Sequence, residues 1–207
     1  TASTSRATAD WSPSPGSAPP WEAPPTAAVG ARLESMPRFH DVMPEQADIS
    51  ANDGKDWRML ILKAYDVDVP ENIAKVPTLK RLLAVCPEVK SAIVSFLAPR
   101  KHIPRHRGPF RGIMRFHLGL RIPKEPGGGP ATIMYIDDKE YRIADGECLL
   151  WDDTFPHEVL NAADEPRIAL LLDVWRPRMP VDMEILSRLI VGAVQIGMRY
   201  RGVSYTG

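Results

Sequence analysis

From residue 91 onward, short apolar segments alternate with turn-forming residues. The segments are 92–97, 112–120, 131–136, 141–143, 147–151, 157–161 and 167–175. Such segments, each bounded by turn signals, predict the strands of an all-β sandwich or barrel. Asp137, Asp138 and Lys139 separate two of them in the manner of a hairpin turn, and Gly127, Gly128 and Gly129 mark a loop. Upstream, 56–65 has the β-branched and aromatic content of a strand, although its leucines also suit a helix. Residues 77–85 read as a short amphipathic helix opened by Pro77 and stopped before Pro87. Residues 182–198 read as a helix with Asp182 as its N-cap and Arg199 and Arg201 near its C-terminal dipole. Its apolar positions wrap more than one face, which predicts burial on the β core, with a partner protein or a membrane surface as the alternative. The expected architecture is a mainly β jelly roll with flanking helices. It divides into a tail (1–37), a β domain (38–180) and a C-terminal helix and tail (181–207).

The tail is rich in Pro, Ala and Ser and shows neither helical nor strand periodicity, so it cannot bury enough apolar area to fold alone. If it is held against something, Trp11 and Trp21 are its candidate anchors. The first residue is Thr1, as in a processed product whose targeting segment is gone, and the mitochondrial matrix is then a candidate compartment.

Composition adds limits. Lys+Arg and Asp+Glu are both 26 in 207 residues, and the pI is near 6.9, which gives no electrostatic reason to expect a nucleic acid partner. The local pattern differs: between Leu97 and Lys124 there are eight Arg or Lys and no Asp or Glu. Such a stretch is either a solvated basic face or a site for an anionic small molecule. Cys86 and Cys148 lie in apolar contexts without CxxC spacing, as buried thiols in a reducing compartment do. No apolar run approaches the roughly 20 residues of a membrane-spanning helix.

Two histidines, His106 and His157, flank predicted strands whose ends can converge at the mouth of an antiparallel roll. Imidazoles suit a redox metal such as iron(II) with open positions, although an isolated histidine also serves as a hydrogen-bonded core residue. Arg115 and His117 alternate with Met114, Phe116 and Leu118, so the two polar side chains share one strand face. Arg167 directly precedes an apolar run, where an unpaired guanidinium is costly. A bidentate carboxylate suits each arginine, supplied either by a ligand or by an internal aspartate.

The segments HRGPF, RFHLGL, DGE, DDTFPHEV and RIALLLDVWRP, in that order and spacing, resemble the aspartyl/asparaginyl β-hydroxylases, and are also similar to the bacterial lipid A hydroxylase. The resemblance covers roughly residues 57–177. It implies a double-stranded β-helix (cupin-like) and an Fe(II)/2-oxoglutarate-dependent dioxygenase. It further implies His106 and His157 as metal ligands, Arg167 and Ser95 at the distal carboxylate of 2-oxoglutarate, and Arg115 and His117 at its other carboxylate. The position two residues after His106, a carboxylate in many oxygenases, is Gly108, as in the animal aspartyl hydroxylases. The lipid A hydroxylases carry aspartate there. Asp153 is then implied as an acceptor that orients a ligand or water. Where the animal enzymes hold a second arginine for an acidic substrate this chain has Ile113, so a peptide, amino acid or lipid-like substrate all remain open. Two other readings stand beside the hydroxylase: an accessory subunit of a larger assembly contacting the tail and final helix, and a cupin-like anion-binding module without chemistry.

Overall fold

One large antiparallel sheet buries different apolar sets on its two faces, and this division places the site. The computed structural model describes residues 5–7 and 35–201, with side chains over 35–197. In chain order the elements are β1 (Ser5–Ala7), α1 (Phe39–Val42), a 3-10 helix (Pro44–Ile49), β2 (Trp57–Ala64), β3 (Val67–Asp68), α2 (Pro70–Ala74), α3 (Pro77–Val85), β4 (Val89–Leu97), β5 (His102–His106), β6 (Ile113–Arg121), β7 (Thr132–Ile136), β8 (Lys139–Tyr141), β9 (Cys148–Trp151), β10 (His157–Asn161), β11 (Arg167–Trp175) and α4 (Val181–Arg201). They form a seven-stranded sheet, β1-β9-β6-β11-β4-β2-β3, and a four-stranded sheet, β5-β10-β7-β8. This is the expected mainly β jelly-roll class.

Period-two alternation sorts the side chains. Trp57, Met59 and Ile61 of β2 meet Ile103, Met134, Ile136 and Val159 of the smaller sheet between the two layers. Leu60 and Leu62 of the same strand turn outward with Val94, Leu170 and Leu172 and pack beneath Ile73 of α2 and Leu83 of α3. Residues 57–64 are thus a strand, and the 77–85 helix opens at Pro77 as its sequence predicts. The turn between β7 and β8 has two residues, Asp137 (φ 49°) and Asp138 (φ 64°), both left-handed as a tight hairpin requires, and Lys139 begins β8.

Three expectations need correction. Helix α4 is not buried by its apolar residues: Ile185, Leu186, Leu189 and Ile196 are all at least half exposed, because the helix packs through Ser187 and Val191. It begins at Val181, so Asp182 lies in its first turn and favours the helix through the dipole and not as a cap. Cys86 and Cys148 are half-buried thiols, not fully buried ones. Part of the tail is ordered as a strand, with Ser5 opposite Leu150 at the edge of the large sheet. Trp11 and Trp21 lie outside the described residues.

The basic run resolves mostly into architecture. Arg100 pairs with Asp164, Lys101 with Asp53, Arg105 with Asp138, Arg115 with Asp173 and Arg121 with Glu165. Lys101 is the most consequential of these, for its fully buried ammonium donates to Ser50 O (2.6 Å), Asn52 Oδ1 (2.7 Å) and Asp53 Oδ1 (2.6 Å). It ties the end of the 3-10 helix to the start of β5, and so fixes the strand that carries His106.

Candidate metal and anion site

Strands β5 and β10 are neighbours, and their register puts His157 directly opposite His106. The ring centroids are 4.0 Å apart. Each ring is oriented by the carbonyl two residues upstream: His106 Nδ1 is 2.8 Å from Pro104 O, and His157 Nδ1 is 2.9 Å from Phe155 O. A carbonyl only accepts, so each Nδ1 carries the proton and each Nε2 keeps its lone pair. Burial holds both rings neutral, lowering the pKa of His106 and taking that of His157, with help from His106, down to about 3. A neutral imidazole with one nitrogen anchored and the other open is the ligand form. Trp151, edge-on to His157 at 4.6 Å, closes the pair from behind.

Gly108 and Asp153 fit each other. The Gly108 N–H donates to Asp153 O at 2.7 Å. A Cβ added at 108 would come within 2.3 Å of Asp153 Cγ, so the aspartate carboxylate fills the space that a side chain at 108 would need. That carboxylate is buried, and its Oδ1 has no hydrogen-bond partner among the described residues. Burial raises its pKa, against the pull of Arg115, whose Nη2 lies 3.4 Å from Oδ2.

Arg115 and Arg167 share the inward face but not their surroundings. Arg115 has the internal partner: Nε donates to Asp173 Oδ1 at 2.9 Å and Nη2 to Oδ2 at 3.2 Å. Burial opposes its charge, but Asp173 and Asp153 more than offset that and push its pKa up. Arg167 is 2 % exposed and has no carboxylate partner among the described residues. Its guanidinium donates to Ser95 Oγ (3.4 Å) and His117 Nε2, and its Nε is unsatisfied. His117 therefore accepts through Nε2 and is neutral, its pKa pushed well down by burial and by Arg167. Burial lowers Arg167 to about 10, which leaves it charged at neutral pH. Of the two partners the sequence allows each arginine, Arg115 has the internal aspartate, whereas Arg167 has no carboxylate among the described residues.

A cavity of about 140 Å³ is lined by the two histidines, Asp153, Arg115 and Asp173; Arg167, His117 and Ser95 lie behind it, reached through Trp57, which lines the cavity and donates to Ser95. Its polar lining includes His106, His157, Asp153, Arg115, Asp173, Arg107, Gln46, Ser91 and Tyr65; Val42, Met43, Ile49, Met59, Ile61 and Ile93 are apolar lining. Asp173 and Trp57 are site residues that single-residue reading missed. Asp173 follows Arg167 by six positions, so alternation alone puts both on one face, and the register sets Asp173 opposite Arg115. Trp57 Nε1 donates to Ser95 Oγ at 3.0 Å, which leaves that hydroxyl's lone pairs shared between the indole and Arg167.

A family model described as aspartyl/asparaginyl beta-hydroxylase matches residues 27–177. An ornithine lipid ester-linked acyl 2-hydroxylase of Rhizobium tropici is 32% identical over 146 residues, 70% of this chain and 50% of that one. An aspartate beta-hydroxylase domain-containing protein 2 of Xenopus tropicalis is 30% identical over 66% of this chain and 38% of that one. This chain thus spans about half or less of the length of these relatives. Among solved structures, a 2OG-Fe(II) oxygenase family oxidoreductase from Burkholderia pseudomallei aligns with a TM-score of 0.46 at 12% identity, over 72% of this chain and 78% of that one. The matched region holds His106, His157, Arg115, Arg167 and Asp153. With that match, the chain belongs to the aspartyl/asparaginyl β-hydroxylase family.

Proposed function

We propose that this protein is an Fe(II)- and 2-oxoglutarate-dependent hydroxylase whose substrate presents an apolar acyl chain. The observation that carries the reading is Arg167, a buried cation of the large sheet without a carboxylate partner among the described residues, together with two neutral histidines of the small sheet whose Nε2 atoms are open. A dianionic oxoacid supplies what Arg167 lacks, and a divalent metal suits the imidazole pair.

His106 and His157 would hold the iron through Nε2. Arg167 and Ser95 would bind the distal carboxylate of 2-oxoglutarate, with His117 fixing the Arg167 guanidinium. When bound, iron and cosubstrate supply the oxidation: the oxoacid loses carbon dioxide to give succinate while one oxygen atom of dioxygen enters a substrate C–H bond. The remaining work belongs to the chain. Asp153, held by Arg115, offers an acceptor in the space a residue-108 side chain would take, and can orient water or a ligand beside the metal. Arg115, paired with Asp173, secures that carboxylate, and it completes the polar wall for the second cosubstrate carboxylate. The apolar wall from Val42 to Ile93 excludes water from the reacting centre and favours an acyl chain over an acidic side chain; Ile113, buried, adds no charge for one. The acyl hydroxylase named among the relatives supports the same substrate class.

Anaerobic titration with iron(II) and 2-oxoglutarate, followed by oxygen, tests the reading. Wild type should bind iron and release succinate, His157→Ala should lose both, and Arg167→Met should keep iron but bind 2-oxoglutarate weakly. Iron-independent behaviour of the wild type, or unimpaired 2-oxoglutarate binding by Arg167→Met, would overturn it. Mass spectrometry on ester-linked acyl lipids against aspartyl peptides separates the substrate classes.

A further inference from the structure

Helix α4 is amphipathic in the opposite sense to an ordinary surface helix. Towards the body it turns Ser187, Val191 and Gln195, whose Nε2 donates to Tyr65 O at 2.8 Å, and it sets the Arg188 guanidinium 5.6 Å over the Trp175 ring. Outward it presents Ile185, Leu186, Leu189, Ile190 and Ile196, between 41 % and 67 % exposed. Contiguous apolar surface of this kind is a binding surface in a soluble protein.

The helix also has a defined place and a charged border. Ser187 packs on Gly112, where an added Cβ would meet its Oγ at 2.6 Å, and Arg176 Nε donates to Arg111 O at 2.6 Å. The loop preceding Gly112 contributes Arg107, Gly108 and Pro109 to the cavity, and Tyr65 lines it too. The helix therefore runs alongside the rim of the site, from the 108–112 loop to Tyr65. Arg107 and Arg111 line a shallow outer depression on this loop, and Arg178 lies just before the helix. All three are exposed, and among the described residues none has a carboxylate within ion-pair distance, unlike most of the basic residues between Leu97 and Lys124; of the two acids in the first turn of the helix, Glu184 is paired with Arg188, and Asp182 leaves the border a net positive charge.

We infer that α4 and the arginines beside its N-terminal end form a docking face for an anionic bilayer surface. The apolar side chains enter the acyl boundary and the guanidinium groups meet lipid phosphates, the combination that holds an amphipathic helix in an interface. A bilayer occupant places the cavity rim at the level where acyl chains are accessible, and so deepens the acyl-substrate reading; that reading gives the docking its purpose, but the docking is measured without it.

The test is sedimentation of metal-free protein with phosphatidylcholine vesicles, with and without phosphatidylglycerol, so that turnover plays no part. Binding should require phosphatidylglycerol and weaken with salt. Leu186→Asp/Leu189→Asp should lower the partition coefficient at least about tenfold. Arg111→Gln/Arg178→Gln, outside the apolar face, should lower it about fivefold per charge, and His157→Ala should bind like wild type. Absence of binding, equal binding to neutral vesicles, or a dimer in vesicle-free buffer that Leu186→Asp/Leu189→Asp dissolves would each overturn the proposal. Docking without lipid hydroxylation would leave the face standing and remove the substrate assignment.

Discussion

The two ends of β11 hold buried charge in different ways. At one end Asp173 faces Arg115 across the β6 register; at the other, Arg167 is opposite Leu97 of β4 and donates to Ser95 and His117, with no carboxylate partner among the described residues. A buried cation with its carboxylate belongs to the architecture, and removing either partner strands the other. A buried cation without one raises the energy of the folded state, and only an anion from outside the chain offsets it. Burial alone does not distinguish the two; the surrounding acceptors do.

The widest separation between the two ends should come from Arg167→Met. It should cost about 2–5 kcal/mol of 2-oxoglutarate binding, read by calorimetry, while the unfolding midpoint stays level or rises because an uncompensated charge has left the interior. A marked loss of stability instead would make Arg167 structural and erase the contrast. Asp173→Ala should behave in the opposite way. It leaves the Arg115 charge to Asp153 alone and should destabilise the fold by about 3–5 kcal/mol in a denaturant titration. Replacing Arg115 and Asp173 together by Met and Leu should recover most of that loss, as expected when both members of a buried pair go.

Gly108→Ala sharpens the comparison at its midpoint, because Asp153 is paired with Arg115 and lines the same cavity as the histidine pair. The new methyl would overlap the Asp153 carboxylate at 2.3 Å, in a pocket that gives way only by moving a buried acid. A loss of about 1–3 kcal/mol is expected, together with weaker iron binding in an equilibrium titration. Unchanged stability would show that Asp153 moves freely, and that it does not hold a fixed position beside the metal.

The parts that could be read from the sequence are those whose chemistry and spacing repeat one pattern. The order of His106, Arg115, His117, His157 and Arg167 carries the family resemblance, and alternation puts Arg115 and His117 on one face. Strand β5 escaped because Pro104 and its polar neighbours obscure the strand signal; as an edge strand it tolerates a residue without an N–H. The cavity wall from Phe39 to Ile49 is built of helices too short for periodicity to register. Asp173 was hidden by the apolar run around it, since its role depends on the cross-strand register with Arg115. For α4, composition shows how much apolar surface exists but not which side packs, and Ser187 on Gly112 decides that.

At neutral pH the smallest expected effect is the one that titrates in only on acidification, a pH dependence at the Arg167 end. His117 stays neutral far below its ordinary pKa because it is buried and accepts a hydrogen bond from Arg167. In the unfolded chain it takes up a proton near pH 6.5. Below that pH the unfolded state binds a proton that the folded state refuses, so stability is fully present above about 6.5 and falls as the solution is acidified. His106 and His157 act in the same direction, His157 down to about pH 3. The His117→Gln variant keeps a side-chain acceptor for Arg167 without the titration, so its stability should decline less steeply between pH 6.5 and 4 than that of wild type. Parallel declines would mean that His117 is protonated with little cost, which a guanidinium donating to its Nε2 does not allow.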